Sequence, residues 1–196
     1  AIAKELSRLQ DAGIPVLWRP IHEASGGWFW WGAAGADAYK AFWKYLYYEF
    51  TETYGLNNLI WVWNGGAADW YPGDAYVDII GDDIYSDSYA PSTSRFREIL
   101  EFTDTNKIIA LTENGNYVDM EQALATNTMW AWFNTWGQGF TEEDNAADES
   151  VRTEIVRNVY LNDHVITLDE LPKELYSGVS AIRGDVNADG QFGVAD

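Results

Sequence analysis

The sequence predicts an α/β fold, specifically the later part of a (β/α)8 barrel (TIM barrel) amounting to about five βα units, and three observations carry that expectation. Short apolar runs suited to strands alternate with longer runs of helical spacing, the pattern of βα units around a parallel sheet. No glycine-rich nucleotide-binding fingerprint accompanies them. Finally, His22-Glu23, Asn64, Asp83 with Tyr85, Glu113 and Trp136 all fall at or just past the C-terminal ends of predicted strands, where such barrels keep their active sites. The alternation alone also fits an open doubly wound sheet; the placement of the polar residues favours the barrel. At 196 residues the chain is short for eight units, which take about 250 residues.

Each element has its own local cause. Ala1 to Ala12 reads as a helix because Ile2, Leu6 and Leu9 recur at near-helical spacing and Gly13 suits its C-terminal cap. Pro15 to Ile21 is a short strand that ends at His22-Glu23. An aromatic-rich helix follows from Asp37, expected as its N-cap, to Tyr54, closed by Gly55. Leu59 to Trp63 is a strand running into Asn64-Gly65-Gly66, and Val77 to Tyr85 contains the next strand. A helix over Ser92 to Thr103 begins just after Pro91, and Lys107 to Thr112 is a strand leading into Glu113-Asn114-Gly115. Met120 to Ala125 is helical, Met129 to Trp136 a fifth strand, Val151 to Leu161 a helix, and Val165 to Leu168 a short extended segment. The first domain is therefore taken as residues 1–176, followed by a linker at 177–183 and a distinct segment at 184–196. Ala1 is not an initiator Met and the chain opens inside a helical pattern, so the sequence is read as truncated, with the first three barrel strands missing.

Composition narrows the partners. A formal charge of −19, from 31 acidic and 12 basic side chains, disfavours nucleic acid, an anionic membrane surface and an acidic polysaccharide. A neutral polymer is compatible with it. The chain has no Cys for disulfides and no apolar run near the ~20 residues that span a bilayer. Aromatic residues make up 16%, including 11 Trp and 12 Tyr, an excess that suits an open groove lined with rings.

The most informative stretch is Arg19-Pro20-Ile21-His22-Glu23-Ala24-Ser25-Gly26-Gly27-Trp28-Phe29-Trp30-Trp31-Gly32. It neither alternates polar with apolar residues nor runs Val/Ile-rich without glycine, so it is no ordinary core strand. Instead it puts a carboxyl group at a strand end beside flat apolar faces on which sugar rings stack. Glu23 and Glu113 are the best candidate carboxylate pair, and retaining glycosidases need two such groups ~5–5.5 Å apart. Aromatic surroundings help an acid keep the proton it must donate, which assigns Glu23 as the acid. Glu113, between Thr112 and Asn114, is better placed to stay ionised and attack.

These residues carry a family resemblance. Arg19 to Glu23 with Gly27 to Gly32 resembles the acid/base segment of glycoside hydrolase family 26, best known for β-mannanases; Leu111-Thr112-Glu113-Asn114-Gly115 looks like its nucleophile segment. Val77 to Tyr85 is similar to the family strand that presents a tyrosine to the nucleophile, and the similarity covers roughly residues 1–176. The resemblance implies a barrel of the retaining glycosidase type with Glu23 as acid/base and Glu113 as nucleophile. It further implies substrate-binding roles for His22 (a hydrogen bond near the nucleophile), Trp28 (lining the site), Tyr85 (a hydrogen bond to Glu113) and Trp136 (the sugar platform of the −1 subsite). Gly137 stands where many members have Arg after the last-strand Trp, which removes one substrate contact. Trp30, Trp31, Trp61 and Trp63 are read as packing. The implied activity is a retaining endo-β-1,4-mannanase that needs no cofactor for catalysis. The alternatives are a family 26 enzyme on mixed-linkage β-glucan or xylan, and a non-catalytic carbohydrate-binding fragment. An isolated piece of the barrel exposes two sheet edges and apolar surface, the features of an unstable or inactive fragment.

The final segment reads separately. Asp185, Asn187, Asp189, Gln191 and Asp196, with Gly190 at the turn, fit a calcium loop of D-x-N-x-D-G-x5-D form that offers oxygens to Ca2+. With Arg183-Gly184 before it, the loop resembles the first repeat of a type I dockerin. That resemblance implies a cohesin of a cellulosome scaffold as partner of a longer protein, and a secreted, extracellular, cellulosome-associated setting.

Overall fold

The structure, a computed structural model, describes residues 1–137 and 149–171, with the backbone alone for Glu149 and Ser150. The linker at 177–183 and the calcium-loop residues Asp185, Asn187, Asp189, Gln191 and Asp196 lie outside the described residues.

Among the described residues the sheet has four parallel strands in sequential order: β1 (Val16–Trp18), β2 (Leu59–Trp63), β3 (Ile79–Ile84) and β4 (Ile108–Asn114). Helices α1 (Ile2–Asp11), α2 (Ala36–Tyr48) and α3 (Thr93–Leu100) accompany them, followed by α4 (Met120–Thr126) and α5 (Glu149–Tyr160). This is part of a barrel wall, as the alternation predicts. No helix among the described residues is long and apolar enough to cross a membrane.

The period of two along each strand sorts side chains between the two faces. Trp61, Trp63, Ile80 and Ile109 turn outward and join Tyr39 and Trp43 of α2 and Phe96 and Ile99 of α3 in the main core. Val62, Ile79 and Ala110 turn inward with Ile60 and Trp132. Trp43, Trp61 and Trp63 are almost wholly buried, each ring burial contributing at least ~2–3 kcal/mol. Leu17 on β1 is 56% exposed.

Several local expectations change. Asp37 is not the N-cap of α2: Gly35 precedes the helix, and Asp37 sits in its first turn, 3.1 Å from Lys40. Beyond Tyr48 the helix widens into a π-helical turn over Glu49–Thr53 that brings Phe50 into the core before Gly55 at φ 65° ends it. Strand β1 stops at Trp18, short of Ile21, because Pro20 has no N–H and Ile21 adopts φ 44°. Leu168 belongs to a 3-10 turn, Leu168–Glu170, with Thr167 as a capping box, so Val165 to Leu168 is not an extended segment.

The fifth strand is the largest difference. Residues 129–136 run beside β4, with Ala131 N–H donating to the Ile109 carbonyl, Leu111 to Trp132, Asn114 to Asn134 and Trp136 to Asn114. Only Asn114 and Thr135 form a regular bridge. Trp130 packs outward against Phe96 and Leu111, whereas Trp132 packs inward on Val62 and Ala110. Residues two apart on an unbroken strand share a face, so the segment must kink between them. Trp130 and Trp132 therefore do not share one face, as they would on an unbroken strand over Met129 to Trp136.

Trp30 also departs from the packing expectation. Trp61 and Trp63 are core and Trp31 is half-buried, but Trp30 is 72% exposed. The aromatic run folds as two 3-10 turns, Ala24–Gly26 and Trp30–Gly32, with Phe29 and Trp31 stacked at 4.4 Å. Gly32 holds them together, since a Cβ there would lie 2.0 Å from the Ala24 carbonyl oxygen. Every close atom belongs to the Ala24 backbone, so Gly32→Ala is expected to displace the turn after Glu23 and destabilise the fold by about 1–3 kcal/mol, read by thermal melting.

Candidate active site

The chain turns sharply after β1, and that turn aims the first candidate carboxylate. Glu23 adopts a left-handed backbone at φ 51°, uncommon for a residue with a Cβ. Asn64, at the end of β2, holds it there: the Glu23 N–H donates to the Asn64 backbone carbonyl at 2.6 Å and to its side-chain oxygen at 3.1 Å. The Asn64 amide in turn donates to Asp83 Oδ1 and Thr112 Oγ1, both at 2.7 Å. One buried Asn thus ties the ends of β2, β3 and β4 to the loop that carries Glu23.

Glu113 lies within β4 rather than just beyond it, because the strand continues to Asn114. It is 4% exposed. Arg19 donates from Nη2 to Glu113 Oε1, and the Tyr85 hydroxyl donates to Oε2 at 2.7 Å. Both donors hold the carboxylate oxygens in place. These partners are not Thr112 and Asn114, the neighbours that sequence reasoning used. Thr112 Oγ1 meets Asp83 and Asn64 instead, and the Asn114 amide meets the Asn116 carbonyl and Thr135.

One carboxylate oxygen from each of Glu23, Asp83 and Glu113 lies within 4.8 Å of the others. Such a group could hold a cation, but Arg19 already stands among them, bonding Glu113 and placing Nη1 3.1 Å from Asp83 Oδ2. Asp83 is a buried acid between two others. Burial pushes its carboxyl up to about 7; Thr112 and Arg19 pull it down, and Glu113 and Glu23 add to the rise. Desolvation wins here because the Arg19 guanidinium is shared with Glu113.

This has a measurable consequence. An unfolded Asp releases its proton near 3.8, whereas the folded Asp83 keeps it to about 7. Between those values the folded state binds more protons, so Asp83 favours folding fully below the lower value and loses that contribution as pH rises through the upper. Melting temperature measured from pH 4 to pH 8 is therefore expected to fall less steeply in Asp83→Asn than in the unaltered chain; equal slopes would remove Asp83 as the cause.

The remaining candidates are distributed as follows. His22 Nε2 is 4.0 Å from Glu23 Oε2, and its ring lies 4.8 Å from Phe29 and 5.8 Å from Trp31. Burial, then Arg19, lowers its pKa against the opposite pull of Glu23 and Glu113, so near neutral pH it stands beside Glu23 as an uncharged ring, not as an ion-pair partner. Trp28 is 66% exposed, and its Nε1 donates to Glu23 Oε2 at 3.1 Å. Trp136, 50% exposed at the end of the fifth segment, is fixed by its backbone N–H to the Asn114 carbonyl. Sequence reasoning assigned no role to Arg19 or Thr112 and left Asn64 and Asp83 as strand-end polar residues. The signal for Arg19 was its place one residue past β1, three before His22.

The glycosyl hydrolase family 26 model matches residues 1–170. The chain belongs to that family. A mannan endo-1,4-beta-mannosidase of Thermothelomyces thermophilus is 44% identical to it over 171 residues, 87% of this chain and 35% of that protein. Mannan endo-1,4-beta-mannosidase B of a Piromyces species is 36% identical over 87% of this chain and 29% of its own length. The chain thus spans about a third of the length of the curated relatives it matches. Among solved structures, the Podospora anserina GH26-CBM35 β-(1,4)-mannanase superposes with a TM-score of 0.78 at 41% identity, over 86% of this chain and 37% of the other. A β-mannanase from a symbiotic protist of the termite Reticulitermes speratus, complexed with gluco-manno-oligosaccharide, gives 0.77 at 40% identity, over 87% and 52%. The family 26 chain is therefore similar to part of a barrel, and the part it supplies includes both candidate carboxylates.

Proposed function

We propose that this chain carries the catalytic pair of a retaining endo-β-1,4-mannanase, and the observation that carries the reading is the convergence of the Glu23 and Glu113 carboxylates within 4.8 Å. Retaining glycosidases space the pair at ~5–5.5 Å, whereas inverting enzymes leave ~6.5–9.5 Å for a water between them. In the first step a Glu113 oxygen attacks the anomeric carbon as the glycosidic C–O bond breaks, and Glu23 transfers its proton to the departing oxygen. In the second, Glu23, now ionised, takes a proton from water, whose oxygen displaces Glu113 and restores both residues. Arg19 and Tyr85 hold Glu113 aimed. Trp136 offers the platform on the glycone side, and His22 and Trp28 orient Glu23. The chemistry needs only these carboxyl groups and water. Mannan as substrate is supported by relatives named mannan endo-1,4-beta-mannosidase.

The test is reducing-sugar release from mannan, mixed-linkage glucan and xylan, by this chain and by the longest natural chain containing it. Mannan is expected as the best substrate; a preference for either other polymer would replace the substrate, and no hydrolysis by the longer chain would leave a binding module. The segment 184–196 is proposed as the first calcium loop of a dockerin in an extracellular, cellulosome-associated protein, on its Asp/Asn spacing alone. Dockerins use two such repeats, so the longer chain should bind a cohesin in calcium and release it in chelator. Calcium-dependent cohesin binding by these 196 residues alone would overturn the requirement for two repeats, and no binding by the longer chain would overturn the dockerin assignment.

A further inference from the structure

Helix α2 carries aromatic rings on both of its faces. Tyr39 and Trp43 turn inward and are almost wholly buried, whereas Tyr45 and Tyr48, on the opposite side of the same helix, are 57% and 60% exposed. Phe42, Tyr45 and Tyr48 recur every third residue, which sets neighbouring Cβ atoms about 5–6 Å apart. That step is close to the length of one hexose in a β-1,4-linked chain. Helical side chains lean back over the residues three and four before them, and for Tyr45 one of these is exposed Ala41, too small to cover a ring. Trp30 heads the row. Its ring lies 6.1 Å from Phe42, an edge contact with Trp31 at 5.6 Å steadies it, and it is 72% exposed. Trp30, Tyr45 and Tyr48 do not line the cleft beside Glu23.

We propose that this outer face of α2, headed by Trp30, is a second carbohydrate site, separate from the catalytic cleft, on which one strand of a neutral β-linked polysaccharide stacks. The choice of sugar rests on the hydrolase reading above, whereas the site itself uses neither Glu23 nor Glu113. Charge disfavours an anionic ligand. Lys40 is drawn to Asp37 at 3.1 Å and Lys44 lies over the Tyr76 ring at 5.0 Å, so both lysines of α2 are engaged. Size disfavours a protein. Aromatic side chains bury ~150–250 Å² each, and these three are already partly buried, so they fall short of the ~800 Å² per partner in a stable protein interface. A polysaccharide strand needs only the ring faces, against which the C–H faces of its sugars pack. Continuity with the catalytic site supports the same occupant. Ring contacts run unbroken from Trp28, bonded to Glu23, through Phe29 and Trp31 to Trp30 and Phe42. The row on α2 therefore begins where the aromatic edge of the catalytic site ends.

The test uses this 196-residue chain and the nuclear magnetic resonance signals of its rings, with Tyr45 and Tyr48 identified through their Phe variants and Trp30 and Trp136 through theirs. β-1,4-Mannohexaose is expected to move the Tyr45, Tyr48 and Trp30 signals saturably, and β-1,4-linked hexamannuronate to leave them in place. The double variant Tyr45→Ala/Tyr48→Ala should weaken the binding seen at Trp30 roughly tenfold. It should leave any shift at Trp136 unchanged and melt like the unaltered chain, because both rings are exposed. Tyr45→Phe/Tyr48→Phe should keep most of the affinity, since the ring faces and not the hydroxyls make the contact. Undiminished binding at Trp30 in the Ala variant, or equal binding of hexamannuronate, would overturn the site. Shifts at Tyr45 and Tyr48 that follow protein concentration without sugar would overturn it in favour of a second copy of the chain. A shift at Trp136 with none at Tyr45 and Tyr48 would overturn it while leaving the Glu23–Glu113 reading intact. No shift at any of these rings would sink the site as well, and the hydrolysis assay would still decide the reaction independently.

Discussion

Glu113→Ala is expected to abolish turnover of mannan, and an activated aryl mannoside is expected not to restore it. Glu113 supplies the atom that bonds to the anomeric carbon; without it no covalent intermediate forms, whatever the leaving group. Glu23→Ala should behave differently. On mannan it loses the ~10²–10⁴-fold supplied by general acid catalysis. On an aryl mannoside with a good leaving group the first step needs little protonation and survives, so the glycosyl-enzyme accumulates and a burst of aryl alcohol precedes slow turnover. Stopped-flow absorbance on an active chain containing both residues separates the two cases. A burst in Glu113→Ala, or identical losses in both variants on both substrates, would reverse or remove the assignment made from the contacts of Arg19, Tyr85 and Trp28.

The second large effect is expected at Arg19. Its guanidinium is the cation between Glu113 and Asp83, whose side chains are 6% and 3% exposed. Removing one partner of a buried ion pair leaves an uncompensated charge, and Arg19→Ala is expected to cost about 3–5 kcal/mol of stability. Activity should fall as well, because Glu113 loses the Arg19 contact that holds one of its two oxygens. Adding Asp83→Asn to Arg19→Ala removes one of the stranded acids and should recover part of the stability, so the two changes are non-additive in denaturant unfolding. Additive losses would mean that Arg19 acts through packing instead of charge.

Much of this site was legible in the chain. The short apolar runs at Leu59 to Trp63 and within Val77 to Tyr85, separated by longer connecting stretches, predict parallel βα units, and the units follow one another in the sheet as expected. Glu23 and Glu113 stand out because a carboxyl group at a strand end beside glycines and tryptophans has no place in a core. The order of elements, the carboxylate candidates and the aromatic wealth are local or compositional properties, which a sequence carries on its face.

Contacts between elements were not legible. Nothing near Glu113 in sequence predicts that its carboxylate is held by Arg19, 94 positions away, in preference to Thr112 and Asn114. Nothing at Asn64 alone announces that it fixes the left-handed backbone of Glu23 across 41 positions. The kink that sends Trp130 and Trp132 to opposite faces is likewise invisible in an alternating pattern. Residue type and spacing set which way a side chain points from its own element. Which distant group meets it depends on how neighbouring strands stagger and where loops re-enter, and those are decided only when burial forces every polar group to find a partner in three dimensions.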